Sequence, residues 1–244
     1  MPFNIGGNIY NSGMVSSQYA KAVSQRGLTF HLDSSLPESF VSANTNWYDL
    51  TSNNYTGTLT NSPTYDSTNG GSLVFNGSTT YVTMGTAMDF ATYTSGFSIE
   101  LWVYPTSAAA YSSIFSSAAT TSGTDWQVYV WYNTSSQFGT TQRYSATQND
   151  FSTTNVFAVN NWYNVVVTSN NTTCYIYVNG VLQTSAATGQ INNQPAGREV
   201  RLGNFKGYPA QYTGKISGCS VYNRPLTATE ITQNYNIQKG RFGL

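Results

Sequence analysis

The chain is predicted to be all-β, an antiparallel jelly-roll β-sandwich with an extended N-terminal arm and one short C-terminal helix. Three observations predict this. Runs of β-branched and aromatic residues alternate with period two and recur at roughly 8–12-residue spacing between polar turns, as in sandwiches. Only 8% of the 244 residues are charged while 15% are aromatic, against roughly a quarter charged in an average soluble protein. Ser, Thr and Asn make up the difference, which suits short strands joined by polar turns. Finally, the stretch 161–182, NWYNVVVTSNNTTCYIYVNGVL, reads as a hairpin with apolar or aromatic residues on both faces, so a layer is expected on each side of it, in a central position.

The elements follow in order. Residues 1–26 break periodicity at Gly6-Gly7 and Asn11-Ser12-Gly13 and read as an arm outside the core. Phe3, Ile5, Ile9 and Tyr10 favour docking of that arm as an anchor, because a solvated tail gains nothing from apolar side chains; a disordered leader is the alternative. The domain is expected over 27–236. Leu28, Phe30 and Leu32 alternate with Thr29, His31 and Asp33, and His31, the only histidine, is expected at the surface. Residues 34–71 are turn-rich. Ser72–Gly77 and Tyr81–Met84 read as a compact hairpin. Phe97, Ile99, Leu101 and Val103 form one face of a core strand closed by Pro105, with Ser98, Glu100, Trp102 and Tyr104 on the other.

Tyr111–Phe115 and Trp126–Tyr132 continue the pattern, and 138–157 reads as weak strands and loop. In the hairpin, Tyr163, Val165 and Val167 lead to the turn at 169–172, and Cys174, Ile176 and Val178 return on one face with Tyr175 and Tyr177 on the other. Asn179-Gly180 tolerates positive φ and turns the chain again. Strands are also expected at Glu199–Gly203 and Tyr212–Tyr222. After Pro225, Thr227 and Glu230 make a capping box, with Ile231 and Tyr235 at helical spacing. A tail from Ile237 to Leu244 ends the chain.

Formal net charge is zero and no Lys/Arg run occurs, so the basic footprint of a nucleic-acid partner is absent. No apolar run reaches the roughly 20 residues that span a bilayer, and the first residues show no basic-then-apolar export signal. Cys174 and Cys219 are two buried thiols or a disulfide; their spacing does not decide.

Five stretches, GLTFHLD (27–33), LVFNGSTTYVTMG (73–85), FSIELWVYP (97–105), the hairpin 161–182 and YTGKISGCSVYNRPLTATEI (212–231), together resemble the laminin G-like branch of the concanavalin A-like lectin/glucanase superfamily. The resemblance implies two curved antiparallel sheets packed face to face, with the first and last strands adjacent. It also brings calcium and hydrolase chemistry into view. Where many relatives carry acids, this chain has Asn76, Ser78, Thr79, Thr80 and Ser217, and calcium needs several carboxylate oxygens. Asp33 and Asp49 could still contribute, but no cofactor or metal is expected. Glucanase relatives place two or three acids on one strand; Glu100 stands alone on its strand, so no enzymatic activity is expected.

Two functions follow as expectations. The first is a non-catalytic virion structural protein at the virion surface, a phage decoration or fibre-like protein anchored by its arm to other virion proteins or to copies of itself. The chain resembles such proteins in joining a leaderless Gly/Asn-rich arm to a laminin G-like domain. The second is a glycan-binding lectin or adhesin module of an extracellular protein; host cell-surface polysaccharide would suit both. The candidate glycan-binding residues are Asp125, Tyr129, Trp131, Arg143 and Tyr144, which join aromatic faces to polar groups. The alternative is that Tyr129 and Trp131 cover a second sheet face.

Overall fold

The structure, a computed structural model, describes residues 23–86, 88–119, 126–144, 147–192, 198–207 and 209–244. Phe3, Ile5, Ile9 and Tyr10 of the expected anchoring arm lie outside these, as does Asp125. Among the described residues two eight-stranded antiparallel sheets pack face to face. The first runs β14 (Val181–Ala187), β13 (Thr173–Val178), β12 (Tyr163–Ser169), β7 (Phe97–Pro105), β16 (Thr213–Tyr222), β5 (Ser72–Asn76) and β4 (Thr64–Asp66). The first strand, β1 (Leu28–Asp33), pairs with the last, β16. The second sheet runs β11 (Thr147–Ser152), β10 (Phe138–Tyr144), β9 (Trp126–Tyr132), β8 (Ser112–Ala118), β15 (Glu199–Leu202), β6 (Tyr81–Thr83), β3 (Gly57–Thr60) and β2 (Asn46–Trp47).

Period-two alternation decides how the sheets meet. Ile99, Leu101, Val165, Val167, Ile176 and Val178 from the first sheet share one buried core with Phe115, Val128, Val130, Phe138, Val200 and Leu202 from the second. Fully burying each such side chain contributes about 1.5–3 kcal/mol relative to exposure. Across that core Gln142 Nε2 donates to Cys174 Sγ at 2.7 Å, tying β10 to β13. Cys174 and Cys219 are both buried free thiols.

Several expectations are corrected. Ser72–Asn76 and Tyr81–Thr83 do not form a hairpin: β5 pairs with β4 and β16, whereas β6 pairs with β3 and β15 in the other sheet. Asn76 Oδ1 accepts from the backbone N–H groups of Ser78, Thr79 and Thr80 at 2.9, 2.9 and 3.2 Å, and Gly77 sits at φ +70°. This side-chain cradle satisfies the turn's main chain without a ladder, so the chain can cross between sheets there. The hairpin of β12 and β13 is not central either, since β14 extends it outward and β7 lies beside β16. The polar stretch after β10 is a regular edge strand, β11, paired along its whole length.

His31 is buried, with Nδ1 2.8 Å from Ser220 Oγ, because the outer face of the first sheet is covered. The cover is helix α1 (Ala228–Gln238), opened by the expected capping box, and a 3-10 turn over Lys239–Phe242. The end of the chain is therefore docked and not a free tail. Phe242 stacks on Trp102 at 4.1 Å with an interplanar angle of 14°, and lies 4.7 Å from Trp162. Arg241 pairs with buried Asp33 at 2.8 Å and donates to Asn69 O at 2.6 Å. Beneath α1, Glu100 accepts from Asn164 Nδ2 at 3.0 Å and Asn234 Nδ2 at 2.7 Å. Burial pushes its carboxyl above the ordinary value, and the two amide hydrogen bonds only partly oppose that. Among the described residues no helix is long and apolar enough to cross a membrane.

Candidate functional site

On the second sheet, the residues that alternate with the core face outward. Register aligns Asp150, Thr141, Tyr129, Ser116, Arg201, Thr83 and Thr58 in one row across seven strands, from β11 to β3. One position along, the inward row contains Val130, Phe115, Leu202 and Val82. A register shift between Ser117 and Ala118 against β9 interrupts the alternation, as a β-bulge does. Trp126 consequently joins the outer face, where its ring lies 6.4 Å from Phe205, which packs 5.1 Å from Tyr129.

The sequence candidates divide. Tyr129 and Trp131 share the outer face but are only 8% and 3% exposed. Trp131 lies against Gly139, where a Cβ would come within 2.2 Å of its ring, and its Nε1 donates to Thr141 Oγ1 at 2.9 Å. Both residues are thus the floor of the face. Arg143 stands with them, 5.8 Å from the centre of the Trp126 ring. Tyr144 is on the other side of β10 and packs over Gly189, where a Cβ would meet its ring at 2.5 Å. Strand alternation separates these two sequence neighbours.

Tyr111 carries the signal that sequence reasoning missed. It is 45% exposed and sits at φ 51°, in the left-handed region that bulky residues rarely enter. Such a conformation costs roughly 1–2 kcal/mol. The Tyr129 phenol donates to the Tyr111 carbonyl, and the Tyr111 ring meets Trp131 edge-on at 4.9 Å. A strained, exposed aromatic held by buried neighbours points to function. No local pattern announced it, because the strain comes from contacts 18 and 20 residues away in sequence. Phe205, half-buried in the loop after β15, was missed for the same reason.

Further along the row the face becomes ionic. Arg201 binds Glu199 Oε2 through Nε and Nη2 at 2.9 and 2.7 Å, Lys206 binds Oε1 at 2.7 Å, and Arg201 lies 4.3 Å over the Tyr81 ring. Burial raises the Glu199 carboxyl, but hydrogen bonds from Lys206 and Arg201 outweigh it, so it titrates below its ordinary value. Among the described residues no group of three or more His, Cys, Asp or Glu side chains gathers to hold a metal. Of the two acids considered for calcium, Asp33 is paired with Arg241, and Asp49 accepts from the backbone of His31, Thr51 and Tyr55.

The profile of the concanavalin A-like lectin/glucanases superfamily, in its laminin G form, matches residues 76–232. The chain belongs to this superfamily. Solved structures agree on the fold of this lectin-like sandwich. Domain 4 of AbnA, a GH43 extracellular arabinanase from Geobacillus stearothermophilus solved with arabinotriose, is 18% identical at a TM-score of 0.67, over 87% of this chain and 100% of that one. The binding domain of botulinum neurotoxin DC, solved with rat synaptotagmin II, gives 15% and 0.66, over 87% of this chain and 52% of the other. Trypanosoma rangeli sialidase with sialic acid gives 18% and 0.64, over 90% of this chain and 34% of the enzyme. The chain thus spans about a third of the sialidase and half of the toxin chain. A search of curated proteins found no match. As a member of the superfamily the chain keeps the sandwich and places Asn76 at the end of β5 and Ser78 and Thr79 in the loop to β6, where they bond to one another and to the backbone.

Proposed function

We propose that this protein is a non-catalytic glycan-binding module whose outer face on the second sheet makes the contacts through Tyr111, Phe205 and Arg143. The observation that carries this reading is the exposed, left-handed Tyr111, held by Tyr129 and Trp131. A sugar presents a C–H face that packs on an aromatic ring and hydroxyls that need polar partners at the edge. Tyr129, Trp131 and Trp126 act as positioning residues below. Two of the acids support binding without chemistry. Glycoside hydrolysis generally uses two carboxyls about 5–9 Å apart, whereas Glu100 is committed to amides under α1 and Glu199 to two cations. The arabinanase domain solved with arabinotriose shares the fold, which supports a polysaccharide ligand. The test is a glycan array on the purified protein and on Tyr111→Ala. The reading predicts a defined set of bound glycans and loss of that signal in the variant at unchanged circular dichroism. An array without signal, or binding indifferent to Tyr111, contradicts it.

We place the module on a virion surface, made in a host cytoplasm and anchored to other virion proteins through its first residues, with host polysaccharide as the outward ligand. One observation favours an anchoring arm. Where the described chain begins, Val23 is buried, Ser24 N donates to Asn234 Oδ1 at 3.0 Å, and Arg224 Nε donates to Arg26 O at 2.8 Å. A segment leaving from so fixed a point would hold the domain in a defined orientation. Removing residues 1–22 is expected to leave a folded, glycan-binding domain that no longer joins particles. Incorporation of the shortened chain contradicts the anchoring role.

A further inference from the structure

At the end of β7 away from Pro105, β1 enters the first sheet and β16 leaves it. Their connections enclose a groove of about 470 Å³ lined by Arg26, Tyr93, Thr94, Ser95, Asn223 and Arg224, among others. That volume falls within the roughly 300–1,000 Å³ of small-ligand sites. Its chemistry is set by which groups are already engaged. Arg224 reaches Glu230 with Nη2 and Nη1 at 2.6 and 2.8 Å and donates from Nε to Arg26 O at 2.8 Å, so its charge is neutralised and its donors are used. The Arg26 side chain is exposed and, among the described residues, takes part in no ion pair. The Thr94 and Ser95 hydroxyls and the Asn223 amide are exposed at the same rim, with no hydrogen-bond partner among the described residues. Among the described residues no carboxylate lines the groove. Among the described residues it therefore presents one unmatched guanidinium with neutral hydroxyl and amide groups.

We infer that this groove binds the carboxylate of an acidic saccharide, with Arg26 forking the carboxylate and Thr94, Ser95 and Asn223 meeting the ring hydroxyls. A guanidinium matches a carboxylate in both charge and bidentate geometry. A phosphate carries more charge and typically draws several cationic or main-chain donors; here there is one. The groove shares no lining residue with the Tyr111 face: it lies where β1 begins and β16 ends in the first sheet, whereas Tyr111 precedes β8 of the second. Two separate sites would let a single domain grip a charged polysaccharide at two points or bridge two chains.

The test is calorimetric or NMR titration of the full chain with sodium galacturonate, N-acetylneuraminic acid, galactose and inorganic phosphate. Binding of either acid at millimolar concentration is expected, and the tighter of the two names the source. Galactose and phosphate should bind far more weakly. Arg26→Gln, at an exposed side chain, should weaken acid binding by roughly tenfold or more, and Ser95→Trp should block it by filling the groove. High salt should weaken it too. No binding of either acid, equal binding of galactose or phosphate, or affinity unchanged in Arg26→Gln would overturn the inference. Arg26→Gln and Ser95→Trp read the groove and Tyr111→Ala reads the other face, and galactose-type neutral glycans report on the latter, so failure of one site is distinguishable from failure of the other.

Discussion

The Tyr129 phenol donates its hydrogen to the main-chain carbonyl of Tyr111, so a nearly buried strand residue fixes the conformation of an exposed loop residue. Tyr111→Gly separates strain from function. Glycine occupies φ 51° without a Cβ penalty, which relieves roughly 1–2 kcal/mol while removing the ring. The melting temperature should hold or rise, and glycan affinity should fall by roughly tenfold, the scale of one lost aromatic contact. Thermal denaturation and titration on the same preparation read both.

Tyr129→Phe keeps the floor ring and deletes the donor. Stability should fall by about 1 kcal/mol, read by urea denaturation. Glycan affinity should fall as well, although Tyr129 is too buried to offer a sugar its ring face. Unchanged affinity would mean that Tyr111 needs no such support.

Phe242→Ala removes the ring stacked on Trp102 and close to Trp162. Truncating a buried Phe costs about 3–5 kcal/mol. A value near the lower end is expected here, with a red shift of tryptophan fluorescence as Trp102 and Trp162 gain water. Fluorescence unchanged from the parent would show that the last residues are not docked.

Stability should fall on acidification through two clasps. The Arg224 hydrogen bonds hold Glu230 down to about 2, and Lys215 holds Asp66 down to about 2. Both groups have depressed folded values. Their stabilisation is present above the ordinary carboxylate range and lost as pH falls through that range toward 2. Glu100 acts in the opposite sense: burial raises its folded value, so the stability of its neutral form is present at low pH and is lost as pH rises through that value. Melting temperature against pH should flatten at the acid end in Glu230→Gln and lose its decline with rising pH in Glu100→Gln.

Much of the fold was legible because alternation in β7, β12 and β13 is long and unbroken, and the Thr227–Glu230 capping box is a purely local motif. What was not legible depends on contacts distant in sequence. A turn at Asn76-Gly77 has the same local chemistry whether its flanking strands pair or part into two sheets. The apolar character of Phe242 says nothing of the Trp102 and Trp162 rings that receive it. The candidate face was half legible: alternation put Tyr129 and Trp131 on one side of β9, but their burial rests on Gly139, Tyr111 and Phe205, and the register shift that adds Trp126 leaves no mark in the sequence. Arg143 and Tyr144 are neighbours in a stretch, 138–157, whose polar pattern does not announce a strand; once β10 is one, neighbours point apart.

The most direct measurement is a crystal structure of the protein with a glycan that the array selects. The account predicts density for a sugar ring against Tyr111, with Phe205 or Arg143 at its edge and Tyr129 and Trp131 unmoved beneath. Sugar density confined to another surface, with the outer face of the second sheet bare, would contradict it.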